Sequence, residues 1–206
     1  MTDAIVASHL RRIVEAWYQW QRVNLRKRGR APGDSSAARE PWQSRAEAFW
    51  GAPPPRTADD STLVLSDDSG GAYFLVKEDG VFFIDEAERR PEGRYWMFRS
   101  FEDAEKCLLF LISQSARPGR YTDSPRFRWN AEGLASRVTI SKPDAEHFPG
   151  RVSMRLDHEP IDRGWMGEAD AIPFSHVITM SYEALDDAVR EGIPQEWFEP
   201  DDGQVF

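Results

Sequence analysis

The dipeptide Asp79-Gly80 lies between two short runs rich in β-branched and aromatic residues, 72–77 and 81–85. Asp-Gly offers two successive residues that tolerate positive φ, which is what the tightest hairpin turn demands. With those two as the loop, Val76 falls opposite Phe83 and Leu75 opposite Ile84. One face of the hairpin then carries Phe74, Val76, Val81 and Phe83, and the other carries Tyr73, Leu75, Phe82 and Ile84. Two apolar faces predict a place in the middle of a sheet that is covered on both sides. Residues 62–66 and 95–98 add two strands of the same character, so 62–98 reads as a β meander, with Arg90-Pro91-Glu92-Gly93 as its last turn.

Helices flank this meander. Ser100 is placed to cap a helix over 101–115, with Glu102 and Asp103 in its first turn, where acidic groups suit the positive end of the dipole. That segment is apolar over most of its girth, which predicts a core helix lying on the sheet. Residues 3–27 repeat apolar groups at three- and four-residue steps and end in Arg26, Lys27 and Arg28 before Gly29, the pattern of one long amphipathic helix. A shorter helix is expected from Pro41 to Trp50, stopped by Gly51-Ala52-Pro53-Pro54-Pro55. Further on, 118–180 is less regular, and within it 136–180 holds further strands, at 138–140, 152–156 and 177–180. Ser181 caps a last helix over 182–191, and 199–206 reads as a mobile tail. The expected fold class is α+β: a mainly antiparallel sheet with a long N-terminal helix, a buried central helix and a short C-terminal helix, in one domain spanning 1–206.

The 206 residues carry a net charge of −9, which disfavours nucleic acid as a partner because phosphate neutralisation needs a basic face. The charge is uneven. Residues 1–30 hold seven basic side chains against two acidic, a net of +5, whereas 157–206 hold thirteen acidic against two basic, a net of −11. An imbalance of that size can steer a partner of opposite sign, so the acidic segment is the expected face for a basic protein. The longest apolar run, Cys107 to Ile112, is far shorter than the roughly 20 residues that span a bilayer. A single cysteine rules out an internal disulfide, and the opening sequence lacks a basic start followed by an apolar run. A cytoplasmic protein without membrane attachment is expected.

Motifs for catalysis are not legible. The nucleophile elbow, the phosphate loop, the paired-histidine zinc helix and the dinucleotide fingerprint do not occur. Asp157, Glu159, Asp162 and Gly164 imitate a calcium loop, but Ile161 stands where an oxygen ligand is required. His158 beside Glu159 could form an acid–base pair, although sequence neighbours point apart in most backbones. Cys107, on the central helix, reads as a small buried hydrophobe. No catalytic residue, metal site or cofactor is expected. The segment Asp67, Asp68, Ser69, Gly70 and Gly71 is the best candidate for recognition: adjacent carboxylates and two glycines on a strand connection make a negative loop whose backbone can approach a partner closely.

Three stretches carry a family resemblance: 71–76 with the Asp79-Gly80 hairpin, 95–106 running from strand into helix, and 185–198 with Gly192-Ile193-Pro194 ahead of Trp197. Here the chain resembles the actinobacterial polymorphic-toxin immunity proteins, the family that includes the immunity factor for the tuberculosis necrotizing toxin, a secreted NAD glycohydrolase. The resemblance covers about half the chain and leaves 28–60 and 118–135 without a counterpart. It implies an antitoxin that binds its cognate toxin domain 1:1 and occludes the NAD pocket, with Gly70 and Gly71 matching the glycine-bearing loop that the family presents there. An acidic surface of this kind can imitate the charge of a dinucleotide diphosphate. The alternative is an intracellular adaptor or secretion chaperone that holds another protein through its charged surfaces.

Overall fold

Asp79 and Gly80 both take positive φ, 51° and 80°, and close the hairpin between strands β3 (Ala72–Glu78) and β4 (Val81–Glu86). Its register pairs Val76 with Phe83 and Leu75 with Ile84, as the turn chemistry predicts. In this computed structural model, which describes residues 8–34, 43–59, 61–67, 70–86, 94–142 and 149–200, the hairpin is central to an eight-stranded antiparallel sheet. Its other strands are β1 (Arg56–Asp59), β2 (Thr62–Ser66), β5 (Arg94–Phe98), β6 (Val138–Ser141), β7 (Arg151–Leu156) and β8 (Gly164–Gly167), in the order β1-β2-β3-β4-β5-β8-β7-β6. The chain is thus α+β. No helix among the described residues is long and apolar enough to cross a membrane.

The main core lies on one face of the sheet. Leu63, Leu65, Leu75, Ile84, Trp96, Phe98, Met154 and Met166 point there and are buried. The central helix α3 (Phe101–Ala116) crosses this face with Cys107, Leu108, Leu109 and Phe110 sealed from solvent. Ser100 caps it by accepting the Asp103 amide at 3.2 Å. On the opposite face Val64, Phe83 and Met97 are buried but stand outside the main cluster, with Trp165 packed near Phe83 at 6.3 Å between ring centroids. Helix α1 (Arg11–Lys27), entered through a 3-10 turn at Ser8–Leu10, lies across α3 and buries Ile13, Trp17, Trp20 and Val23. Residues 3–7 of the expected helix 3–27 lie outside the described residues.

Several expectations need correction. The short second helix, α2 (Arg45–Trp50), begins later than Pro41: Ser44 accepts the Glu47 amide and is its cap, while Pro41 is outside the described residues. Residues 177–180 are not a strand. They close helix α5 (Glu168–Thr179), in which Ala171, Phe174, Val177 and Ile178 recur at helical spacing and are buried. Burial of that stripe outweighs the β preference of Val177, Ile178 and Thr179 and the missing donor at Pro173. A further helix, α4 (Pro125–Glu132), follows Ser124 in the stretch read as irregular, and the edge strand β1 and the internal strand β8 add to the expected set. The last helix, α6 (Tyr182–Arg190), starts at its Ser181 cap as predicted.

Candidate partner-binding site

The connection from β2 to β3 is held from both sides. Trp17 of α1 donates its indole N–H to the Ser66 carbonyl at 2.7 Å, which fixes the entry to the loop. Within it the Asp67 amide donates to the Gly71 carbonyl at 2.9 Å, and the Gly71 amide donates to Asp67 Oδ1 at 2.8 Å. Asp67 is therefore half-buried, its carboxylate turned back onto the loop backbone rather than presented outward. A Cβ on Gly71 would lie 2.7 Å from Asp67 Oδ2, so glycine is what lets the carboxylate sit there. Gly70 is exposed at φ +90° with open space around it, and it carries the loop's accessible backbone. Asp68 and Ser69 lie outside the described residues.

Behind the loop, burial of the Tyr73 hydroxyl pushes its pKa up, with the negative charges of Glu86 and Asp67 adding to the effect, so the phenol stays protonated beside those carboxylates. A crevice of about 20 Å³, the space of a single water, separates Asp67 and Gly71 from Trp17, Gln21 and Asn24. The two ends of the loop, Asp67 and Gly71, thus rest on a packed aromatic support.

The charged residues are arranged differently from their distribution along the sequence. Much of the acidic segment is engaged within the chain: Asp162 with Arg99 at 2.9 Å, Glu168 with Lys142 at 2.9 Å, Asp170 with Arg126 at 2.6 Å, Asp186 with Arg190 at 2.8 Å and Glu191 with Arg128 at 2.7 Å. The basic helix α1 lies beside that same segment. Arg12 pairs with Glu183, Arg22 donates to the Phe198 carbonyl and Arg26 to the Glu196 carbonyl. Cations from the middle of the chain therefore neutralise much of the −11 segment, with Arg12–Glu183 as an ion pair from the +5 region, which narrows the acidic surface available to a partner.

Three charges on α3 are buried, which its apolar pattern did not announce. Lys106 donates to the carbonyls of Ile178 and Met180 at 3.2 and 3.1 Å and pairs with Asp103 at 3.1 Å, tying α3 to the end of α5. Asp103 also accepts from Ser100 at 2.9 Å and faces Arg163 at 3.4 Å. Glu105 is paired with Arg12. A sequence signal existed: Asp103 and Lys106 stand three apart, a spacing that brings helical side chains together.

The remaining candidates fall into structural places. Burial pushes the Cys107 thiol well up, with the nearby charges of Asp170 and Asp103 adding to it, so it stays protonated. Glu159 faces Arg163 rather than His158, and Asp162 is held by Arg99. His176 bonds the Gly133 carbonyl at 2.8 Å and stacks on Trp129. Among the described residues no three His, Cys, Asp or Glu side chains gather as a metal site would require.

Comparison with known proteins adds a relative in structure and one in sequence. The fold is similar to that of Rv3902c from M. tuberculosis, with a TM-score of 0.52 and 19% identity over 65% of this chain and 77% of that one. At that identity the likeness is one of fold. No curated protein matches the sequence. The family model described as Immunity protein 61 matches residues 42–192, a span that holds the whole sheet, helices α2 to α6 and the loop between β2 and β3. The chain belongs to the Immunity protein 61 family.

Proposed function

We propose that this protein is an antitoxin that binds the domain of a cognate secreted toxin 1:1, in the cytoplasm of the producing cell, and covers its active site. We further propose that the toxin is an NAD glycohydrolase and that the loop Asp67 to Gly71 enters its pocket. Family membership over 42–192 is the observation that carries the antitoxin role. The loop geometry supports the finer reading. Gly70 offers exposed backbone without a side chain, on a connection anchored by Trp17 and by the Asp67–Gly71 bonds. Loop ends that are already fixed lose little conformational freedom on binding. Inhibition by occlusion requires contact alone, so the protein needs no chemistry of its own.

Co-expression is the direct test. Cells making the toxin domain encoded beside this chain's gene should survive when the chain is present, and continued killing would defeat the proposal. NAD should compete with the chain for the toxin, and a mixture should elute from size exclusion as one 1:1 species. Asp68→Lys, which leaves the Asp67–Gly71 bonds in place, should weaken binding without lowering the melting temperature; unchanged affinity would remove the loop from the interface.

A further inference from the structure

The N-terminal ends of α3 and α6 and the start of α1 surround an open cleft of about 470 Å³. Its charged walls are Glu102, Glu105 and Glu183 against the single Arg12. Glu102 and Glu183 are exposed at the rim, at 65% and 75%, whereas Glu105 lies at the base with only 1% of its side chain accessible. Arg12 bonds one Glu105 oxygen and lies over the Tyr182 ring, 3.8 Å from its centroid.

Among the described residues, two polar atoms at this base have no hydrogen-bond partner: Glu105 Oε1 and the Tyr182 hydroxyl. Buried polar groups are ordinarily satisfied, and leaving one unpaired costs about 1–3 kcal/mol. Lys106 cannot serve them, since its ammonium group is committed to Asp103 and two carbonyls. Arg12, paired with Glu105 and Glu183, and Lys106, 3.9 Å from Glu102, face three glutamates, which still leaves the cleft with an excess of negative charge. A metal ion is the poorer match, because no set of three ligating side chains gathers among the described residues.

We propose that this cleft receives a basic side chain of the partner protein, a guanidinium or ammonium group that passes between Glu102 and Glu183 and donates to Glu105 Oε1. The proposal rests on the antitoxin reading for the partner's identity and adds a second contact, separate from the loop. Arg12 keeps its own oxygen of Glu105, so the incoming cation completes the carboxylate rather than displacing the arginine. The rim glutamates attract the cation at a distance, and the buried carboxylate holds it where solvent screens least.

The full-length protein is titrated with a tetra-arginine peptide, and in parallel with tetra-lysine, while NMR resonances of Arg12, Phe101 and Tyr182 are followed. Shifts should be confined to the cleft and vanish in the Glu102→Gln, Glu183→Gln double variant. Glu105 is left in place because removing its charge would strand Arg12. Absence of shifts at millimolar peptide, or shifts that persist in the double variant, overturns the proposal. With the neighbouring toxin domain, the same variant should associate about tenfold more slowly at low salt, with a flatter salt dependence and an unchanged melting temperature. If wild type binds the toxin and the variant binds equally well, the cleft is excluded and the antitoxin reading stands. If wild type does not bind, the antitoxin reading fails, and the peptide titration still decides the cleft.

Discussion

Lys106 holds a charge where almost no water reaches, with 2% of its side chain accessible. Its stability depends on three oxygens converging on one ammonium group: the carbonyls of Ile178 and Met180 and the carboxylate of Asp103. A buried pair of this kind adds little net stability, yet removing one partner leaves the other charged and unsolvated. Lys106→Met should therefore destabilise the fold by about 3–5 kcal/mol in urea unfolding. Lys106→Met with Asp103→Leu should recover part of that loss, since the buried carboxylate left facing only Arg163, at 3.4 Å, is removed as well. A single variant as stable as wild type would show that the network contributes nothing. The sequence reveals the apolar run beside Lys106 but not the charge's fate, because the carbonyls it meets are some 70 positions away and belong to a segment whose preference is β. The same limit applies to Asp67. Its residue type and place in a turn suggest exposure, and only the pairing of β2 with β3 brings the Gly71 amide to its carboxylate.

Among the elements, strand β8 shows where local pattern loses to tertiary demand. Gly164 begins it at φ +149°, paired with Phe98 on one side and Met154 on the other. A Cβ there would lie 1.9 Å from the Met97 carbonyl oxygen, so the neighbouring backbone passes where any side chain would be. Gly164→Ala should cost about 3 kcal/mol or more through strain and displaced backbone. It should also raise amide exchange across the β5–β8 pair, and a melting temperature within a degree of wild type would contradict the close approach. In the sequence this glycine is visible only as the end of a failed calcium-loop pattern. The hairpin is the opposite case: Asp79 and Gly80 determine turn type, loop length and register locally, so its pairing is readable residue by residue. Helices α3 and α6 are similarly legible through Ser100 and Ser181, whereas α4 had an equal signal in Ser124-Pro125 that the surrounding polar residues obscured.

At the scale of the whole molecule, the family match and the core do not coincide. Residues 42–192 leave out α1 and the segment ending at Phe198, yet both contribute to the same buried cluster. Ile13, Trp17, Trp20, Val23 and Leu25 are each at most 2% exposed, and Phe198 meets Trp20 edge-on at 5.2 Å. Burying each such side chain is worth about 1.5–3 kcal/mol, so α1 alone accounts for on the order of 10 kcal/mol of apolar burial. That rivals the 5–15 kcal/mol by which a domain is ordinarily stable. The opposite charges of α1 and the C-terminal segment favour their meeting, but apolar burial is the larger effect, because exposed ion pairs contribute about 1 kcal/mol or less. Residues 42–192 expressed alone should therefore lack a cooperative thermal transition. Adding a synthetic 8–34 peptide to 42–192 should restore part of the transition and quench the exposure of the α3 face to a hydrophobic dye. Cooperative melting of 42–192 within about 5 °C of the full chain would show that α1 is an accessory to the immunity fold rather than a wall of its core.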